Sequence, residues 1–134
     1  MKIVDVEGIG AGYAEKLTAA GVATTDELLV RGASQAGRNA LATETGISER
    51  LLLEWVNHAD LMRIDGVGSE FSDLLEAAGV DSCAELARRN PKNLAETFQE
   101  LDAARPNVVR RVPSEDMIRG WIAQADQLAK VVTH

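Results

Sequence analysis

The sequence predicts an all-α protein made of two similar halves, and three observations carry that expectation. A Gly-apolar-Gly corner occurs twice, at Gly8-Ile9-Gly10 and Gly66-Val67-Gly68, each followed at once by apolar residues at helical spacing. Aligning the corners lays Tyr13 on Phe71, Leu17 on Leu75, Ala19-Ala20-Gly21-Val22 on Ala77-Ala78-Gly79-Val80, and Glu27-Leu28 on Glu85-Leu86. No alternating apolar pattern runs beyond a few residues. The only aromatics are Tyr13, Trp55, Phe71, Phe98 and Trp121, so Leu, Val, Ile and Ala must fill the core. That composition favours helices.

The elements follow in order. Residues 11–20 form a helix with Ala14, Leu17 and Thr18 at helical spacing, and Gly21 stops it in the left-handed conformation. Thr24 with Glu27 three places on reads as a capping box that restarts a helix. Ser34 or its neighbours start a third helix, which Gly46 ends. Ser48 caps a fourth, residues 49 to about 61, with Leu51, Leu52, Trp55, Val56 and Ala59 on one face. In the second half Ser82 and Glu85 repeat the capping box, and Asn90-Pro91 places an N-cap before a proline whose missing donor costs nothing there. Leu94, Phe98 and Leu101 make an inward stripe to about Arg105. A loop over 107–112 follows, in which Val108-Val109 cover apolar surface, and Ser114 opens a last helix to about Lys130. That helix buries Met117, Ile118, Trp121, Ile122, Ala125 and Leu128. About eight helices result, in a first repeat over 1–60 and a second over 61–134 that share the helix of 48–63. Too few residues precede Gly8 for a helix, so the last helix is expected to cover that gap, in cis or from a second subunit.

Composition narrows the function classes. An apolar fraction of 46% and a charged fraction of 26% describe a folded globular protein rather than a disordered one. No apolar run is long enough to span a membrane, and the N-terminal residues do not read as a cleaved secretory peptide. The lone Cys83 fits a reducing, cytoplasmic setting and a small buried thiol. One cysteine with the distant His58 and His134 matches no metal-ligand spacing and no nucleophile–base pair, so no cofactor, metal or enzymatic activity is expected. A net charge of −7 argues against a generic polyanion binder.

Two places nevertheless suit an anion. The first-turn amides near Gly10, Ala11 and Gly12 have no intrahelical partner, and the helix dipole favours a phosphate there. Gly8 makes the corner, and Lys16 stands a turn or more further on. The second corner lacks this chemistry: Asp65, Glu70 and Asp73 surround it, and Leu74 stands where Lys16 stood. The other place is a locally basic stretch within 86–113, holding Arg88, Arg89, Lys92, Arg105, Arg110 and Arg111 against Glu96, Glu100 and Asp102. Against each stands a plainer reading, a corner that only packs helices and arginines that only pair with nearby carboxylates.

The corners, Ile9-Gly10-Ala11-Gly12-Tyr13-Ala14-Glu15-Lys16-Leu17 above all, resemble the helix-hairpin-helix element. Together with Trp55-Val56-Asn57-His58-Ala59-Asp60-Leu61-Met62-Arg63-Ile64-Asp65-Gly66-Val67-Gly68, Val109-Arg110-Arg111-Val112-Pro113-Ser114 and the tail Val131-Val132-Thr133-His134, they resemble an uncharacterised family of short tandem helix-hairpin-helix proteins, a domain of unknown function. The resemblance implies two tandem helix-hairpin-helix repeats forming SAM-like helical bundles. The element is also similar to the DNA-clamping hairpin of flap-type nucleases, but no acidic metal-binding core accompanies it, so nuclease activity does not carry over. Two functions follow as expectations. One is a non-enzymatic DNA-binding or RNA-binding module, sequence-blind and weak, using Gly8, Gly10, Ala11, Gly12 and Lys16 with Arg88, Arg89, Lys92, Arg110 and Arg111. The other is a protein-interaction or self-associating scaffold in which the hairpins serve only helix packing.

Overall fold

The computed structural model describes residues 1–6, 8–105 and 111–134; Arg110 and the Val108-Val109 pair lie outside them. The described chain is helical. A 3-10 turn, Ile3–Asp5, precedes α1 (Ala11–Ala19), α2 (Thr25–Gly32), α3 (Gln35–Thr45), α4 (Glu49–Leu61), α5 (Ser69–Ala77), α6 (Cys83–Leu86), α7 (Pro91–Ala104) and α8 (Glu115–Gln127). The described residues hold no strand beyond one isolated bridge between Lys2 and Thr24. No helix among them is long and apolar enough to cross a membrane.

Helix starts and stops lie where local chemistry puts them. Side-chain oxygens of Thr24, Ser34, Ser82, Asn90 and Ser114 accept the amides of Glu27, Gly37, Glu85, Asn93 and Met117, and Ser48 accepts that of Leu51 at 3.2 Å. Each such bond satisfies a donor that the helix itself leaves unpaired. At the other ends, Gly21, Gly46 and Gly79 take positive φ. After α1 the amide of Val22 donates to Leu17 and that of Gly21 to Thr18, and after α5 Val80 and Gly79 repeat this with Leu75 and Glu76. These are Schellman ends, and the residue that closes each is buried against the helix it closes.

The chain divides into two compact units, Met1–Asp60 with Val131–His134, and Leu61–Lys130. In the first, Ile3, Val6, Ile9, Leu17, Val22, Leu28, Leu41, Leu52, Trp55 and Val56 are buried. A Cβ on Gly32 would overlap the Val56 side chain, so the α4 valine packs directly on the α2 backbone at this glycine. In the second unit, Leu61, Ile64, Val67, Leu75, Val80, Leu86, Leu94, Phe98, Ile118 and Trp121 form one core, with Val112, Met117 and Ile122 packed at its edge.

Two elements differ from the simple expectation. The last helix packs within the second unit. It ends at Gln127, and its Ile118, Trp121 and Ala125 belong to the second core. The lead-in is held within the first unit instead: the Ile3 amide donates to Ala23 at 2.9 Å and the Thr25 amide to Met1 at 3.0 Å, which buries Ile3 and Val6. The fourth helix is also not one-sided. Every residue over 55–61 is buried, Asn57, His58 and Asp60 included.

Candidate functional site

The first corner is assembled by short-range bonds. The Val6 amide donates to Ile3 at 3.3 Å and the Ile9 amide to Val6 at 3.1 Å, so the chain folds back twice before α1 begins. Gly8, at φ +86°, makes the reversal that an L side chain resists. A Cβ there would stand 3.6 Å from Trp55 Nε1. Ile9 points inward and is buried, and Tyr13 packs edge-on against Trp55 with ring centroids 5.1 Å apart. The corner is thus fixed from below by an indole and an apolar side chain.

Among the described residues nothing covers its outer side. Gly10, the N-cap of α1, is extended and offers no side chain to the amides that follow. Ala11 and Gly12 are exposed, and a Cβ on Gly10 or Gly12 would meet nothing within 4 Å. Gly10, Gly12, Tyr13 and Lys16 line a shallow depression of about 350 Å³. Among the described residues Lys16 has no hydrogen-bond or ion-pair partner, and α1 has no acidic residue in its first turn. Gly8, Gly10, Ala11, Gly12 and Lys16 are therefore gathered at one place.

The second corner has the same frame and a different surface. Gly66 is at φ +95°, with Trp121 Nε1 3.3 Å from where its Cβ would be, and Phe71 lies 5.3 Å from Trp121. The Val67 amide donates to Ile64 at 3.1 Å. Here, however, Gln124 grips the turn from both sides, accepting the Asp65 amide at 2.9 Å and donating to its carbonyl at 3.2 Å. Glu70 occupies the first turn of α5, and Leu74, the counterpart of Lys16, is buried. A phosphate would meet carboxylates rather than a cation.

Of the basic stretch, Arg89 is committed to closing a helix. Arg89 donates through Nε to Glu85 at 3.1 Å and through Nη2 to the Gly79 carbonyl at 3.0 Å, which closes the end of α5. Arg31 does the same for α1, reaching the Ala20 carbonyl at 3.0 Å and Glu44 at 2.9 Å. The two arginines stand at the same offset as the glycine corners, a match that sequence reasoning passed over because the flanking residues differ. Arg88 and Lys92 are exposed, and Arg111 lies with Nη2 3.7 Å from Met117 Sδ. Arg110 lies outside the described residues. A cavity of about 450 Å³ between α5 and α7, lined by Leu74, Ala77 and Leu101 with Asp73, Asp102 and Arg105, includes none of the candidate residues.

One arrangement had no sequence signal at all. Arg38, only 2% exposed, donates through Nη1 to Gly32 at 2.8 Å and Ala33 at 3.2 Å, and through Nη2 to Thr133 at 2.7 Å. Its Nε has no partner. A buried arginine near no paired acidic residue in sequence looks like a surface residue until the fold brings three carbonyls to it.

In comparisons with known proteins, no curated protein and no solved structure matches the chain. A family model does, over residues 7–128, which takes in both corners, both indoles and the eight α-helices of the described residues. The chain belongs to the family described as Domain of unknown function (DUF4332).

Proposed function

We propose that the protein is a non-enzymatic module that holds a nucleic-acid backbone weakly and without reading sequence, through the first corner acting as a helix-hairpin-helix. One observation carries the reading. The helix after the first corner presents uncapped, exposed amides beside a lysine that has no partner among the described residues; of the other helices only α5 also lacks a side-chain cap there, and it carries Glu70 in its first turn. Uncapped amides at a helix start attract an oxyanion, and a lysine within reach adds charge. On this reading the second corner, with Glu70 in the first turn and Leu74 in place of the lysine, is a packing element, and tandem repeats of the hairpin are one competent copy and one structural copy.

The test is a low-salt titration against single- and double-stranded DNA and RNA. Contact with about one or two phosphates predicts a slope of log affinity on log salt near −1 to −2. Gly10→Glu should abolish binding, and because a Cβ at Gly10 meets nothing within 4 Å the fold should survive it. Lys16→Glu should weaken binding by roughly tenfold or less, the size of one exposed charge contact at a helix start. Binding that ignores both substitutions, or none at low ionic strength, overturns the proposal.

A second reading, a protein-interaction scaffold, is favoured by a separate observation: Val30 on α2 is 78% exposed beside a depression lined by Gly21, Asp26, Glu27 and Arg31. It predicts partner capture that Val30→Asp abolishes and Gly10→Glu leaves intact.

A further inference from the structure

The last four residues, Val131–His134, contain no helix or strand, yet they are seated in the first unit. Val132 is 2% exposed. Thr133 is read through its backbone on both sides: its amide donates to the Ala33 carbonyl at 2.8 Å, and its carbonyl accepts Arg38 Nη2 at 2.7 Å. Its hydroxyl also reaches Ala33, at 3.3 Å. His134 Nε2 lies 2.8 Å from the Oδ1 of buried Asn57; that oxygen only accepts, so the imidazole donates. An apolar pocket, a main-chain donor–acceptor pair and a terminal acceptor in sequence are how a groove recognises an extended peptide.

The receiving side is built rather than incidental. Arg38 is buried, already lacks a partner at Nε, and would lose a further acceptor if Thr133 left. The arriving side is separable. The carbonyl of Ala129 is tied within the second unit by Arg63 Nη1 at 2.9 Å, and the exposed Lys130 alone separates it from the tail. Undocking the tail breaks no helix.

We propose that the first unit carries a peptide-recognition groove built on Arg38, Ala33 and Asn57, and that its occupant can be supplied by a second copy of the chain, so that two copies exchange their tails. Every bond that seats the tail is the same whether it arrives in cis or in trans, so exchange needs no new surface. The tethered tail has an effective concentration in the millimolar range, and exchange becomes populated as the chain concentration approaches that value. This inference does not depend on nucleic-acid binding.

The experiment measures mass by light scattering as the full chain is raised into the millimolar range after prolonged incubation. The expected result is a dimer fraction that grows with concentration, absent from a chain lacking residues 131–134 and from Thr133→Pro, which removes the amide that Ala33 accepts. The truncated chain should also bind a synthetic peptide of residues 129–134 one to one, and bind its Thr133→Pro form at least tenfold more weakly. A full chain that stays monomeric throughout, or a truncated chain that dimerises equally, overturns the proposal. So does equal binding of peptides altered at the Val132 and His134 positions, which would assign the groove to foreign extended peptides. Should the truncated chain fail to fold, hydrogen exchange of the Thr133 amide in the full chain decides. Exchange ahead of the buried amides of α4 supports a detachable tail, and exchange only with global unfolding overturns it.

Discussion

Gly8 and Gly10 are two residues apart and do different work. The first sits at positive φ against the Trp55 indole, and the second is extended with no described atom within 4 Å of where its Cβ would be. Gly8→Ala should therefore lower stability by about 1–2 kcal/mol, the penalty of a left-handed L residue, while Gly10→Ala leaves it essentially unchanged. Gly66→Ala should exceed Gly8→Ala, since Trp121 Nε1 approaches to 3.3 Å rather than 3.6 Å. Denaturant unfolding of the three variants measures this, and a loss at Gly10 as large as at Gly8 would refute the assignment. The glycines themselves are legible in the sequence as corners, but which of a pair carries the backbone reversal is not, because φ is set by how the following helix is aimed. Arg31 and Arg89 show the same limit. Each looks like a surface cation, and each closes the end of the helix that precedes it.

At the scale of elements, boundaries are the most local property of the chain and the most readily inferred. Hydroxyl and amide side chains before α2, α3, α4, α6, α7 and α8 mark starts, and Gly21, Gly46 and Gly79 mark stops, because capping is decided within four residues. Ser114→Ala should cost about 1 kcal/mol, the usual size of a lost N-cap. Because α8 carries Trp121, that loss should appear in indole fluorescence during denaturant unfolding; an unchanged midpoint would show that tertiary packing, not the cap, fixes the start of α8. Faces are less legible than ends. The apolar spacing of α4 suggests a single stripe, yet Asn57, His58 and Asp60 are buried with it. Asn57 receives His134, and neither His58 nor Asp60 lacks a partner. Polar residues are buried when their partners come from distant sequence, and a periodicity argument has no access to those partners.

For the whole molecule, each compact unit holds its own tryptophan, so the chain carries two built-in reporters. In single-tryptophan variants, Leu75→Ala, which opens a cavity in the second core, should cost about 2–5 kcal/mol and move the Trp121 transition to lower denaturant ahead of that of Trp55. Coincident movement of the two transitions would mean that the units unfold as one. The doubled plan, the helical class and the positions of both corners follow from the sequence by itself, since glycine at a reversal, a hydroxyl at a helix start and an apolar residue every third or fourth place act over short distances. Tertiary structure alone decided three things. It placed α8 in the second core and closed the lead-in to Gly8 with a backbone pairing, it left the first corner with no described residue over its outer side while Gln124 gripped the second, and it buried Arg38 under the last four residues. Those outcomes depend on groups separated by tens of residues, whose meeting is fixed by packing of the folded chain and leaves no periodicity behind to be read.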